Sequence, residues 1–470
     1  VTAVTIAALS APTIASATPL MPRLRFIATA ASATAPRGGP GGPGTTAFAS
    51  LPLYMAVDDA DMQIRATRAS YSDPIVVNQV LGNGTKRLLA NVVSSFTSSG
   101  LEKFFHLTVT DAKGARRAEV DLPWCPAAGW NAVRTSPSAS DRNPYPLSCG
   151  FHPFTRGQVW GLPAGWAADP GLNAELNVPD GTYKATLAIN SKFQKLFAVS
   201  GPTSHVYNLT VMTPPPPPPP PASPSPLVQA APSLPQGAAT TRLDPATLPN
   251  LVALPAYAAT IEHSPLTNQD LLDFAATVWN AGPGKLVVDG FRRGQTPVMD
   301  AYQSFYKGDT KVGYNRVGTF EYDARPGHEH WHFTDFAAYR LLDSKGKLVL
   351  PSAKEAFCLG PTDGIDLTVP GAKWQPESMG FSQCGDVTSI GLREAMPVGW
   401  GDTYFQSLPG QSFDITNLPN GTYQIEVVAN PAGRLFESTA SDNVARRTVT
   451  LSGPRGQRVV KMAPYGAITD

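Results

Sequence analysis

Histidine, cysteine and charge are all scarce in this chain, and each shortage removes a class of function. Charged residues make up 16% of 470 positions with a net charge of +1, against ~25% in ordinary soluble proteins. No basic stripe marks a nucleic-acid interface, and nucleic acid is not an expected partner. No stretch supplies the ~20 uninterrupted apolar residues of a membrane span. Four cysteines without a CxxC argue against a zinc ribbon. A phosphate-cradling glycine loop, a nucleophile elbow and an HExxH helix are also missing.

What is abundant is turn chemistry. Gly 41 and Pro 47 punctuate short runs rich in Val, Thr, Tyr and Phe, a pattern that predicts an all-β fold. The longest interruption is "TPPPPPPPPASPSP", with Pro214 to Pro221 unbroken. As polyproline II, at ~3.1 Å per residue, it makes a stiff spacer of roughly 25 Å. We read residues 1–46 as a leader-like and flexible segment, 47–212 as one β-sandwich-like domain, 213–244 as a polyproline linker, 245–455 as a second such domain, and 456–470 as a tail. "VTAVTIAALSAPTIASA" at the start is mildly apolar and ends in Ala15-Ser16-Ala17, while "MPRLRFIATAASATA" (21–35) has a basic beginning and a short apolar core. Both read as export signals, incomplete in different ways, and predict a secreted protein.

The two halves are related. "NVPDGTYKATLAIN" (177–190) aligns without gaps to "NLPNGTYQIEVVAN" (417–430), with six of fourteen residues identical. "PAGW" (163–166) matches "PVGW" (397–400), and "TDAKG" (110–114) matches "LDSKG" (342–346). Cysteines follow in the same order, Cys125 and Cys149 in one half, Cys358 and Cys384 in the other. The shared order predicts a tandem duplication and one disulfide per half, Cys125–Cys149 and Cys358–Cys384, with a buried thiol or a metal ligand as the rival reading.

Of seven histidines, three stand at alternate positions in "GHEHWHF" (327–333). In a strand His328, His330 and His332 share one face, with Glu329 and Trp331 on the other. Imidazole suits zinc, copper, iron and nickel alike, so the triad predicts a metal without choosing it. Fully extended, the outer pair would lie ~13 Å apart at the backbone, so the rings must lean inward or the strand must bend. The first half has no HxHxH: counting back from DxKG, Gly100 stands where His332 does, and counting back four from the cysteine, Asp121 stands where Lys354 does. The duplicate therefore keeps the fold without the polar constellation.

Several ordered pieces make the C-terminal half resemble the catalytic domain of the lysyl oxidase family. "HEHWHFTDFAAYRLLD" (328–343) resembles its copper-binding HxHxH segment, "KEAFCL" (354–359) its lysine-containing segment, and "GWGDTY" (399–404) the segment with its redox tyrosine. "DITNLPNGTYQIEVVANP" and "ESTASDNVA" resemble the closing strands, and "LPNLVALPAYAATIEH" (248–263) the start. The resemblance implies copper on His328, His330 and His332, and a lysine tyrosylquinone cofactor built from Lys354 and Tyr404. It implies a secreted amine oxidase acting on a primary amine or peptidyl lysine with dioxygen, and a cell-wall or extracellular protein as a partner. Building the cross-link needs an unprotonated lysine amine, which desolvation near a cation favours. Asp335 and Asp402 are the nearest candidates for the catalytic base. Where the animal enzymes carry WxWHxCHxHxH, this chain has "EYDARPG", and only one cysteine pair is present in this half. The alternatives are a His₃ zinc hydrolase and a non-catalytic extracellular β-sandwich binding protein. For the N-terminal half the expectation is a metal-free scaffolding or binding role.

Overall fold

The computed structural model describes residues 21–39, 42–96, 100–127, 132–213, 243–294, 296–325, 329–352, 356–376, 384–408 and 410–469. The fold is all-β. Among the described residues there is one short helix, Ser191–Leu196, and one 3₁₀ turn, Pro245–Thr247. No described helix is long and apolar enough to cross a membrane.

Six sheets divide between the halves. The largest sheet of the first half runs in the order Asn173–Leu176, Gly42–Ser50, Ser32–Gly39, Ser204–Met212, Gly181–Ile189, Leu101–Thr110 and Arg116–Trp124. Two four-stranded sheets complete that half around a core that includes Trp124, Trp160, Phe104 and Tyr207. In the second half, Leu251–Ala253, Gln269–Asn280, Trp400–Tyr404 and Asp363–Gly364 form one sheet. A second contains His330–Thr334 beside Thr310–Asp323, and a third has Gly421–Ala429 at its centre. Their common core includes Phe274, Phe320, Trp331, Phe333 and Tyr404.

The sequence repeat has an atomic counterpart. Asp111 accepts from the amides of Lys113 and Ala115, and Asp343 from those of Lys345 and Lys347, so each DxKG closes a hairpin in the same way. Tyr183 donates its hydroxyl proton to Pro179 O and Tyr423 to Pro419 O, at 2.9 and 2.8 Å. Both expected disulfides are formed, with Cα–Cα distances of 5.6 Å for Cys125–Cys149 and 5.7 Å for Cys358–Cys384. No free cysteine remains.

Two expectations about the chain ends are corrected. Residues 21–39 and 42–46 of the leader-like segment are not a flexible leader, because Arg23–Ala28, Ser32–Gly39 and Gly42–Ser50 are strands. Ala33, Ala35, Ala47 and Ala49 are buried there, along with Leu24 and Phe26. Small side chains that read as a linker are what a closely packed sheet interior accepts. The segment 456–470 is not a loose tail: Val459–Met462 pairs with the strand Val444–Ser452, and Ile468 is buried. Residues 1–20 and most of the proline-rich linker lie outside the described residues.

The halves are packed together through a second core, in which Phe154 of the first half meets Leu254, Tyr257, Ala275, Trp279, Ile365 and Ile468 of the second. Tyr145 stacks on Trp374 with ring centroids 5.7 Å apart.

Candidate metal centre

The histidine strand is short, His330–Thr334, and its alternation is the one expected. Trp331 and Phe333 enter the core, so His330 and His332 project from the opposite face. Their ring centroids are 4.5 Å apart. The antiparallel neighbour places Asp323 opposite His330 and Glu321 opposite His332. Residues directly across an antiparallel pair share a face, so two carboxylates border the imidazoles. His332 is buried, with Nδ1 3.9 Å from Asp323 Oδ2. That separation is too long for a hydrogen bond, so the contact is electrostatic. Asp323 is also engaged by the Arg325 guanidinium at 2.9 Å. Two imidazoles this close on one face can serve a common metal ion, without choosing which. His328 and Lys354 lie outside the described residues.

Tyr404 sits on the core side. It is 8% exposed, and its hydroxyl donates to Cys358 O at 2.9 Å. The ring packs edge-on against Phe357, centroids 4.9 Å apart. Phe357 is in turn the register partner of Phe333 on the histidine strand. The short strand Ala356–Phe357, two residues beyond Lys354, therefore touches both the metal-side strand and the tyrosine. Burial, then the Asp402 and Glu394 carboxylates, push the Tyr404 phenol well above its ordinary range. It is a neutral hydrogen-bond donor at physiological pH.

The two base candidates have different surroundings. Asp402 lies two residues before Tyr404 on the same strand face and is buried. Asp335 is at a turn with φ +62°, half-exposed, and paired with Arg434 at 2.8 Å. A third carboxylate was not anticipated. Glu394 is fully buried, accepts from the Leu359 amide at 2.9 Å, and burial raises its acid well above the usual range. Its signal was present in "GLREAM": Leu392, Glu394 and Met396 share the inward face of one strand, so an ionisable group occupies an apolar slot. Glu394 also lies within 4.8 Å of both sulfurs of Cys358–Cys384. Because those sulfurs are bonded to each other, no thiolate is present to ligate a metal.

Gly100, the counterpart of His332, has φ +94°, and a Cβ there would lie 2.5 Å from Trp124 O. That backbone leaves no room for a side chain at this position.

These features define the C-terminal region as a disulfide-bonded all-β domain with paired imidazoles on one sheet face. Within that class, the C-terminal region matches the lysyl oxidase family model over residues 315–460. It is 31% identical over 129 residues to lysyl oxidase homolog 2 of Gallus gallus, covering 27% of this chain and 15% of that protein. Lysyl oxidase homolog 3A of Danio rerio is 28% identical over 141 residues, 30% of this chain and 17% of its own. Lysyl oxidase homolog 1 of Homo sapiens is 28% identical over 128 residues, 27% and 20% respectively. The aligned part thus spans a fifth or less of these relatives.

Proposed function

We propose that this chain is a secreted copper amine oxidase of lysyl oxidase type. It converts a primary amine, free or as a peptidyl lysine, to an aldehyde, consuming dioxygen and releasing ammonia and hydrogen peroxide. The observation that carries the reading is the imidazole pair of His330 and His332, 4.5 Å apart inside the segment that matches the family.

In this reading His328, His330 and His332 hold the copper, and Lys354 and Tyr404 are the precursors of the quinone. Copper with the finished quinone supplies the redox chemistry that the side chains lack. The chain's own residues position and protect. Phe357 fixes the Tyr404 ring, and Cys358 O holds its hydroxyl. Asp402, on the face of Tyr404, is the better placed of the two candidate bases for holding the substrate proton, since Asp335 is committed to Arg434. Cell-wall or extracellular proteins bearing accessible lysines are the expected partners.

The test is copper analysis and absorption of the full chain after aerobic copper loading. One copper per chain, a visible quinone band and peroxide release on adding a primary amine are expected. Tyr404→Phe should abolish the band and the peroxide while leaving copper bound. Hydrolytic activity that survives Tyr404→Phe would favour a His₃ zinc hydrolase instead. Absence of any turnover with an intact fold would favour a binding protein.

A further inference from the structure

The first half carries no metal motif, yet it reaches the strand that bears Tyr404. Residues 151–158 lie against the second half. His152 is 1% exposed, and its Nδ1 accepts from the Phe154 amide at 3.1 Å. A neutral imidazole that accepts at one nitrogen carries its proton on the other, so His152 Nε2 donates to Thr277 Oγ1, 2.8 Å away. Thr277 Oγ1 also shares a hydrogen bond with Thr403 Oγ1, at 2.8 Å, in which either hydroxyl can donate. Thr277 and Thr403 are register partners on adjacent strands, and both are buried. The Thr403 amide donates to Thr362 Oγ1 at 2.8 Å.

The same segment closes the sheet edge. Gln158 Nε2 donates to Gly364 O at 2.6 Å, the Arg156 amide to Ile365 O at 2.7 Å, and the Leu367 amide to Gly157 O at 2.8 Å. Gly364 is itself paired with Trp400, at the start of the Tyr404 strand. A sheet edge needs a partner for its amides and carbonyls, and here another half of the same chain provides it.

We propose that the N-terminal half is a built-in clamp on the strand Trp400–Tyr404, and that His152 is its positioning residue, holding Thr403 from behind while Asp402 and Tyr404 face the core on the other side of the strand. The role given to Tyr404 rests on the oxidase reading; the clamp itself rests on the contacts above. Removing the imidazole leaves the Thr277 hydroxyl without its donor inside a buried seam, a loss that loosens the strand locally.

The experiment uses the full chain, copper-loaded in air, as wild type, His152→Ala, Thr277→Val and His152→Gln. Three quantities are read: copper per chain, the rate at which a Lys354–Tyr404 cross-linked peptide appears by mass spectrometry, and hydrogen exchange of the amides of residues 400–404. His152→Ala and Thr277→Val are expected to keep copper and both disulfides, exchange about tenfold faster in that strand, and cross-link about tenfold more slowly. His152→Gln, which retains an N–H donor, should restore both rates. Unchanged exchange in His152→Ala overturns the clamp. Faster exchange with a wild-type cross-linking rate overturns the positioning role. If His152→Ala does not fold, the near-isosteric Thr277→Val decides by the same two rates. If the wild type forms no cross-link, the oxidase reading fails while the exchange comparison still decides the clamp.

Discussion

At the scale of single residues, three buried positions carry measurable consequences. Burial lowers the His152 pKa to about 4, with Asp363 raising it and Arg68 lowering it. Its unfolded value near 6.5 is higher, so the unfolded chain binds more protons between those limits, and stability falls as pH drops from about 6.5 to 4. His152→Gln should flatten that part of a stability–pH curve, by roughly 3 kcal/mol at most, as read by urea unfolding at each pH. Glu394 runs the other way. Its folded pKa is raised, so stability is greatest below the unfolded carboxylate value and declines as pH rises toward the folded one. Glu394→Gln should therefore match wild type in acid and exceed it in thermal stability at pH 8. Gly100→Ala should cost about 2 kcal/mol or more, since a positive φ and a contact with Trp124 O both oppose a side chain; chemical denaturation checks it. His330 and His332 were legible because alternation translates directly into a shared face. Glu394 was half legible, through its place in an apolar series. His152 was not legible at all, since its partners Thr277 and Thr403 are remote in the chain and belong to no local period.

At the scale of elements, the repeated turns were readable because each is a local bond pattern: Asp to its own next amides, Tyr to the proline four residues back. The leader was misread for a related reason. A stretch of Ala, Thr, Gly and Pro has the composition of a linker, and only the strand Ser204–Met212, which pairs with Ser32–Gly39 in parallel, reveals that it is held. The disulfide Cys358–Cys384 ties two elements of the site, because the Trp331 amide donates to Cys384 O at 3.0 Å and Tyr404 donates to Cys358 O. Replacing both cysteines by alanine should cost about 3 kcal/mol in the chain-entropy model. It should also weaken copper retention against a chelator, because the backbone along one edge of the histidine strand loses its tether. The matching change at Cys125 and Cys149 should lower thermal stability without altering copper retention.

At the scale of the whole molecule, the proline-rich segment divides the chain into two halves, and the contacts of Phe154, Tyr145 and Gly157 join them. Nothing in composition distinguishes a seam residue from a core residue, which is why the association was invisible in the sequence. Cutting the chain between residues 214 and 242 should leave the two fragments co-eluting on size-exclusion chromatography at micromolar concentration. Gly157 governs how closely they meet: an added Cβ would fall 2.3 Å from Asp366 Oδ1 and 2.6 Å from Thr368 Oγ1. Because an isolated β-bridge joins Gly157 to Asp366 and backbone bonds cross from residues 156–157 to Ile365 and Leu367, opening one half unpairs an edge of the other. Calorimetry of the intact chain should show a single endotherm, and Gly157→Val should split it into two, each near the size expected for one half melting alone.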